Sequence, residues 1–229
     1  MTMRTRIKVC GITRVADGVA AARAGADAIG VVFWRGTPRC VDPARARDIA
    51  IALPPFVSVV GLFVDPTADD VRAALAAVPL DMLQFHGAET PEFCRQFGRP
   101  YLKAIAVREG VDLLEYAARY GDAAGLLFDA YREGDLPGGT GISFDWSRLA
   151  AVRERLPRPL VVSGGLDPVN VEQAIHALRP WAVDVSSGVE ERGPEGRPRR
   201  GLKDHARITA FVQGVRNADG GSPERVRPA

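Results

Sequence analysis

The chain has 229 residues, 46% of them hydrophobic and 25% charged, a balance that suits a globular domain with a sizeable core. Its 30 Lys and Arg against 28 Asp and Glu leave a formal net charge of +2, too small to point to a nucleic-acid partner. The opening MTMRTRIKVC lacks the apolar stretch of a signal peptide, and no run reaches the roughly 18 apolar residues of a membrane span, so no membrane partner is expected.

Three cysteines, Cys10, Cys40 and Cys94, stand far apart, with no CxxC pair and no His/Cys cluster. An odd, sparse count argues against a disulfide framework or a metal site and fits a reducing cytoplasm. The arginines are scattered except over Arg192 to Arg200 and at the extreme C-terminus, where a solvated surface loop is expected.

Short β-branched runs alternate with longer Ala-rich amphipathic ones, the pattern of βα units around a parallel sheet. The first strand is expected over Arg6 to Cys10, followed by a helix from about Val15 to Ala24 that Gly25 stops. A second strand, Asp27 to Phe33, leads to a helix with Asp42 as N-cap and Pro43 in its first turn. Strand three, Phe56 to Val64, is followed by Asp65-Pro66-Thr67 and a helix through about Ala77. Then come strand four (Leu80 to Phe85), a helix (Glu89 to Phe97), strand five (Tyr101 to Ala106) and a helix from about Val111 to Tyr120. Strand six, Gly125 to Asp129, is separated by a long Gly-rich loop from a helix beginning near Asp145. Strand seven, Pro159 to Ser163, leads to a helix opened by Asp167-Pro168. Strand eight is Ala182 to Ser186, and a last helix runs from about Leu202 to Val215.

Eight repeats close a barrel, whereas an open doubly wound α/β sheet has about five to seven strands. A single (β/α)8 TIM barrel over residues 1–216 is therefore expected, with residues 217–229, poor in large apolar groups, as a disordered tail. Chemistry in such a barrel sits at the C-terminal ends of the strands. The polar residues there are Cys10, Arg39, Gln84, His86, Asp129, Gly164, Gly165, Asp184, Ser186, Ser187 and Gly188.

Two of these segments suit an anion. Ser163-Gly164-Gly165 ends strand seven and Ser186-Ser187-Gly188 ends strand eight, where glycines let main-chain N–H groups converge on phosphate oxygens. Each pair of glycines alone could simply make a tight turn. Both loops on the strands that usually hold phosphate in barrels point to a phosphate-binding type, with a sugar phosphate as the small-molecule substrate.

Cys10 and Asp129 suit a base and an acid. A free cysteine is often a small buried hydrophobe. At a catalytic strand end, a thiol with a reference pKa of about 8.5 needs only modest stabilisation to act as a thiolate. Lys8 shares the Cys10 face of the first strand, and in a closed barrel it can pair with Asp184 on strand eight. Asp129 could cap a turn, or serve as a buried general acid under a cover formed by Gly138-Gly139-Thr140-Gly141. Arg39, behind the stiffening Pro38, can grip a carboxylate with two parallel hydrogen bonds. Gln84 and His86 share one face at the end of strand four and are assigned to substrate contact.

Taken together, several motifs resemble phosphoribosylanthranilate isomerase, the third-step enzyme of tryptophan biosynthesis. They are Lys8-Val9-Cys10-Gly11-Ile12-Thr13, Thr37-Pro38-Arg39, Val60-Gly61-Leu62-Phe63-Val64, Gln84-Phe85-His86-Gly87, Gly138-Gly139-Thr140-Gly141, Ser163-Gly164-Gly165-Leu166 and Asp184-Val185-Ser186-Ser187-Gly188-Val189-Glu190. Lys203-Asp204 also fits, and the resemblance spans about residues 6 to 213. It implies a cofactor-free, metal-free Amadori rearrangement of N-(5-phosphoribosyl)anthranilate in a (β/α)8 barrel. Cys10 would then be the general base, Asp129 the general acid and Arg39 the partner of the anthranilate carboxylate. The loops after strands seven and eight would hold the phosphate. Departures are Phe85 where leucine is commoner, Ala130 after Asp129, and an extra stretch from Glu191 to Gly201 beside the phosphate loops.

Other readings stay open on the sequence. A metal-dependent sugar-phosphate epimerase would want several ligating histidines, and only His86, His176 and His205 exist. An indole-forming synthase would want strand-end lysines, for which Lys103 is the candidate. A noncatalytic sugar-phosphate-binding barrel also fits, and the chain could act as a monomer or a homodimer.

Overall fold

Strands that are apolar on both faces belong in a parallel sheet covered by helices outside and closed on itself inside. The computed structural model describes residues 4–107, 110–130, 146–194 and 196–220. In it, β1 (Arg6–Cys10), β2 (Ala28–Val32), β3 (Ser58–Phe63), β4 (Met82–Phe85), β5 (Tyr101–Val107), β6 (Gly125–Ala130), β7 (Leu160–Val162) and β8 (Ala182–Val185) pair in parallel, in chain order. β8 pairs with β1, Lys8 standing opposite Asp184, and the barrel is closed. The expected (β/α)8 architecture is therefore the observed one.

The helices between the strands are α1 (Val15–Ala24), α2 (Pro43–Ile51), α3 (Ala68–Ala77), α4 (Pro91–Arg95), α5 (Leu113–Arg119), α6 (Trp146–Ala150) and α7 (Val171–Leu178). Local chemistry sets their ends. Gly25 ends α1 at a φ of 111°, a backbone shape glycine adopts without strain. The Asp42 carboxylate caps α2 by accepting from the N–H of Arg45. Thr67 and Asp70 form a reciprocal capping box at α3.

Alternation along the strands sorts the side chains. Ile7, Val9, Ile29, Leu83, Phe85, Phe128 and Val183 face outward into the main core beneath the helices. Leu102, Ala104, Leu127, Val161 and Ala182 form a separate small cluster with Met82. Cys10, Val32 and Leu62 form a third at the C-terminal end. Phe85 lies in the outer layer, its ring 6.2, 5.8, 5.9 and 6.0 Å from those of Phe63, Phe93, Phe97 and Tyr101. Its departure from leucine is thus a matter of packing and does not reach the strand-end chemistry.

Three expectations about elements need correction. α7 starts at Val171 and not at Asp167-Pro168, because the Asp167 carboxylate accepts from the N–H of Val169 (2.8 Å) and Asn170 (3.0 Å), holding a turn before the helix. The stretch after Glu190 is not a plain loop. β9 (Glu190–Arg192) and β10 (Pro198–Lys203) pair antiparallel as a separate two-stranded sheet whose Arg192, Arg199 and Arg200 are exposed. Leu202 and Lys203 therefore end a strand, and the last helix, α8, runs His205–Gly220. Of the tail expected from residue 217, residues 217–220 belong to α8 and residues 221–229 lie outside the described residues, as does the expected cover Gly138 to Gly141. No helix among the described residues is long and apolar enough to cross a membrane.

Candidate active site

A cleft opens at the C-terminal ends of the strands. It is lined by Cys10, Arg39, Gln84, His86, Asp129 and Asp184 together with Val32, Trp34, Thr37, Leu62, Ser163 and Ser186, and its space is about 440 Å³ including the open mouth. All the residues expected to act in catalysis or substrate contact thus share one cavity. A larger hollow of about 880 Å³ at the opposite end lies between Arg153, Arg158, Pro180 and Trp181, away from every strand-end polar group.

Cys10 is the last residue of β1 and only 5% exposed. A Cβ on Gly30, opposite it on β2, would lie 2.8 Å from its sulfur and 3.3 Å from Cε of Lys8. The thiol and the lysine stem therefore lie together over a strand position that must be glycine. Lys8 Nζ bonds Asp184 Oδ1 at 2.8 Å, both side chains almost fully buried, which is the interior pair expected from sequence. Ser163 Oγ approaches Asp184 Oδ2 at 3.4 Å. Burial pushes the Cys10 thiol above its ordinary value, against the downward pull of Lys8 and of Lys203. The modest stabilisation expected for a thiolate is thus outweighed by desolvation in the protein alone. Burial would depress Lys8 as well, but Asp184 facing it holds its pKa above the ordinary range.

Arg39, 6% exposed, is already engaged. Its Nε and Nη2 donate to the Glu190 carboxylate at 2.7 and 2.9 Å, so the two-bond grip expected on a substrate carboxylate is made to the protein. Nη1 lies outside that pair. Glu190 is fully buried and also accepts from Gly201 N at 2.9 Å and Lys203 Nζ at 3.3 Å. Burial would raise its pKa, yet the Arg39 hydrogen bond and the charges of Lys203 and Arg39 hold it below the ordinary carboxylate range. Burial lowers the pKa of Lys203, whose ammonium also donates to Ser186 O at 3.0 Å. In the sequence Glu190 and Lys203 stand only as letters of longer motifs, and their spacing to Arg39 carries no signal of this contact.

On the opposite wall, Asp129 of β6 is 4% exposed and its Oδ2 lies 3.1 Å from His86 Nε2, while His86 Nδ1 lies 3.0 Å from Gln84 Nε2. The residues expected to hold phosphate do not line the cleft but lie just beyond Ser163 and Ser186, which do. Gly164 and Gly165 take φ values of 83° and 69°, and Asn170 fixes the loop by donating to Gly165 O at 2.8 Å. The loop after β8 packs directly on it: a Cβ on Gly188 would lie 1.9 Å from Leu166 O.

The candidates for competing activities sit elsewhere. Lys103 Nζ bonds Glu89 Oε2 at 2.7 Å and Gly87 O at 2.6 Å, outside the cleft lining. His205 pairs with Asp17 at 3.0 Å and His176 lies on α7, which leaves His86 alone of the three histidines at the cleft.

Known proteins similar to this chain in sequence and fold point one way. The family model for N-(5′-phosphoribosyl)anthranilate (PRA) isomerase matches residues 7–214. The N-(5′-phosphoribosyl)anthranilate isomerase of Nitrosospira multiformis is 52% identical over 93% of this chain and 97% of its own length. The crystal structure of phosphoribosyl anthranilate isomerase from Thermotoga maritima is 39% identical, covering 93% of this chain and 99% of that one, with a TM-score of 0.82. A structure of phosphoribosyl anthranilate isomerase in complex with reduced 1-(o-carboxyphenylamino)-1-deoxyribulose 5-phosphate is 38% identical over 93% and 99% of the two chains, with a TM-score of 0.79. The chain belongs to the N-(5′-phosphoribosyl)anthranilate isomerase family.

Proposed function

We propose that Cys10 and Asp129 divide the proton transfers of the family's reaction. That reaction is the Amadori rearrangement of N-(5-phosphoribosyl)anthranilate to 1-(2-carboxyphenylamino)-1-deoxyribulose 5-phosphate in tryptophan biosynthesis. The observation that carries this assignment is the single cleft onto which the thiol and the carboxyl both face, from β1 and β6. Asp129 protonates the furanose ring oxygen and opens the sugar to a Schiff base. Cys10 as thiolate removes the proton from C2′, and the enolamine so formed tautomerises to the ketone. Lys8 and Lys203 are the cations that favour the thiolate against its burial.

The substrate's two ends are held apart from this chemistry. Arg39, oriented by Glu190, offers Nη1 to the anthranilate carboxylate. Main-chain N–H groups around Gly164, Gly165, Ser187 and Gly188 take the phosphate. Gln84 and His86 reach the cleft from β4, and Asp184 closes it beside Lys8. Holding both ends converts proton transfer into a positioned intramolecular step, which supplies what acid–base help alone does not.

The test is the loss of anthranilate-sugar fluorescence on mixing enzyme with substrate. Cys10→Ser and Asp129→Asn should each lower turnover by about 10²–10⁴-fold. Binding of the reduced product analogue should change far less. Full turnover in either variant sinks the assignment. A thiolate base needs a reducing compartment, and Cys10, Cys40 and Cys94 are all free, which favours the cytoplasm.

As for assembly, the Thermotoga maritima relative is described as dimeric. Phe56, at the start-of-strand face before β3, is fully exposed with a φ of 70°. Taken with the dimeric relative, an aromatic ring held out on a positive-φ backbone is the side chain that a homodimer contact would cover. Sedimentation of Phe56→Ser alongside the parent chain tests it, and an unchanged mass removes the support.

A further inference from the structure

Gln84 and His86 form a line of contacts to Asp129 for which the acid–base scheme gives no role. With the Gln84 amide oriented so that Nε2 lies 3.0 Å from His86 Nδ1, its N–H can only donate, and in that orientation Nδ1 is the acceptor. A neutral imidazole that accepts at Nδ1 carries its proton on Nε2, which faces Asp129 Oδ2 at 3.1 Å. The line is well covered, with Gln84 fully buried and the His86 side chain 11% exposed. Buried polar atoms are nearly always paired. Yet at this wall of the cleft Gln84 Oε1 and Asp129 Oδ1 are buried with no partner among the described residues.

We infer, on the reading above in which Asp129 is the acid, that Gln84 and His86 are its positioning residues. Gln84 fixes His86 as the Nε2–H tautomer, His86 holds Oδ2, and the proton to be transferred rides on Oδ1. The step balances. Oδ1–H gives its proton to the ring oxygen as the C1′–O4′ bond breaks and leaves its electron pair on that oxygen, while the nitrogen lone pair forms C1′=N. The carboxylate left behind keeps the Nε2–H bond, which strengthens as charge develops on its acceptor. The imidazole gains and loses no proton. In the other tautomer, Nε2 would have to accept from an Oδ2–H, turning the acid's proton into the protein and away from the sugar. That tautomer also sets Nδ1–H against the Gln84 N–H, two donors with no acceptor between them.

A direct substrate contact and a positioning role differ in what they move. Losing a contact raises KM, whereas misdirecting an acid lowers kcat. The experiment combines ¹⁵N NMR of the His86 ring in the full-length enzyme with steady-state kinetics of Gln84→Leu, His86→Leu and His86→Gln. The expected spectrum at neutral pH is a single Nε2–H tautomer, which becomes mixed in Gln84→Leu. His86→Leu should lose about 10- to 100-fold in kcat, part of the about 10²–10⁴-fold that a general acid supplies, with KM little changed. His86→Gln, which keeps an N–H donor, should recover some of that loss. An Nδ1–H tautomer in the parent enzyme, or variants impaired in KM alone, overturns the positioning role and leaves the isomerase assignment intact. Full turnover in Asp129→Asn overturns both.

Discussion

Replacing Glu190 by Gln keeps the shape of the side chain and deletes its charge. The carboxylate takes Arg39 Nε at 2.7 Å, Arg39 Nη2 at 2.9 Å, Gly201 N at 2.9 Å and Lys203 Nζ at 3.3 Å. An amide has one acceptor oxygen, and its N–H group would point at a cation. Two buried cations then share no anion, and breaking a buried pair in this way costs about 3–5 kcal/mol. For a domain of this size each kcal/mol moves Tm by about 2–4 °C, so Glu190→Gln should melt roughly 6–20 °C lower. Glu190 is held ionised below its ordinary range, so its stabilisation is present above the unfolded carboxylate value of about 4.3 and is lost as pH falls through the depressed folded value. The variant should lack that part of the acid dependence. With Arg39 freed from its partner, KM should rise more than kcat falls. Thermal melts followed by circular dichroism across pH, with fluorescence kinetics on the same samples, measure all of this. A Tm within about 2 °C of the parent at neutral pH, far inside the expected shift, together with an unchanged KM, would refute the reasoning.

Alkylation of Cys10, followed site by site by mass spectrometry, should rise with pH around a midpoint above the ordinary thiol value of about 8.5, because burial dominates its surroundings. Lys8→Met should move that midpoint further up; an unshifted midpoint would show that the ammonium does not act on the thiol. Gly188→Ala should weaken competitive inhibition by inorganic phosphate and raise KM, since the new Cβ would meet Leu166 O at 1.9 Å and push the two loops apart. Unaltered phosphate inhibition counts against these loops as the phosphate site. Lys103→Met should destabilise the fold by about 3–5 kcal/mol by leaving Glu89 buried without its cation. Its kcat, measured well below the melting point, should match the parent, and a large loss there would return Lys103 to the chemistry.

What the sequence carries well is whatever depends on neighbours along the chain. Asp42-Pro43 and Thr67 announce their helices because a cap acts over three residues. Cys10, Gln84 and Asp129 announce a site because a barrel places strand ends together. Contacts between distant segments are less legible. Lys8 with Asp184 could be foreseen, since a closed eight-strand ring makes the first and last strands neighbours. Arg39 with Glu190, 151 residues away, could not, because it depends on how the hairpin after β8 folds back. That hairpin itself was hidden. Its strands are short, rich in Arg and Gly and headed by Pro198, and its β character comes from docking, with Thr13 bonding Gly201 O. Nor does the sequence reveal how deeply Cys10 is buried, on which the direction of its titration turns.

The ring of strands has a seam where its first and last members meet, and the reaction centre sits across it. Lys8 and Asp184 are 176 residues apart, and Thr5 bonds Asp219 across 214. Contacts of such long sequence separation form slowly, because the intervening chain must be closed into a loop before they are rewarded. A chain emerging from synthesis already carries its acid and its base well before the eighth strand exists. Catalytic competence is then among the last properties this protein acquires, arriving with the docking of the final βα unit onto the first.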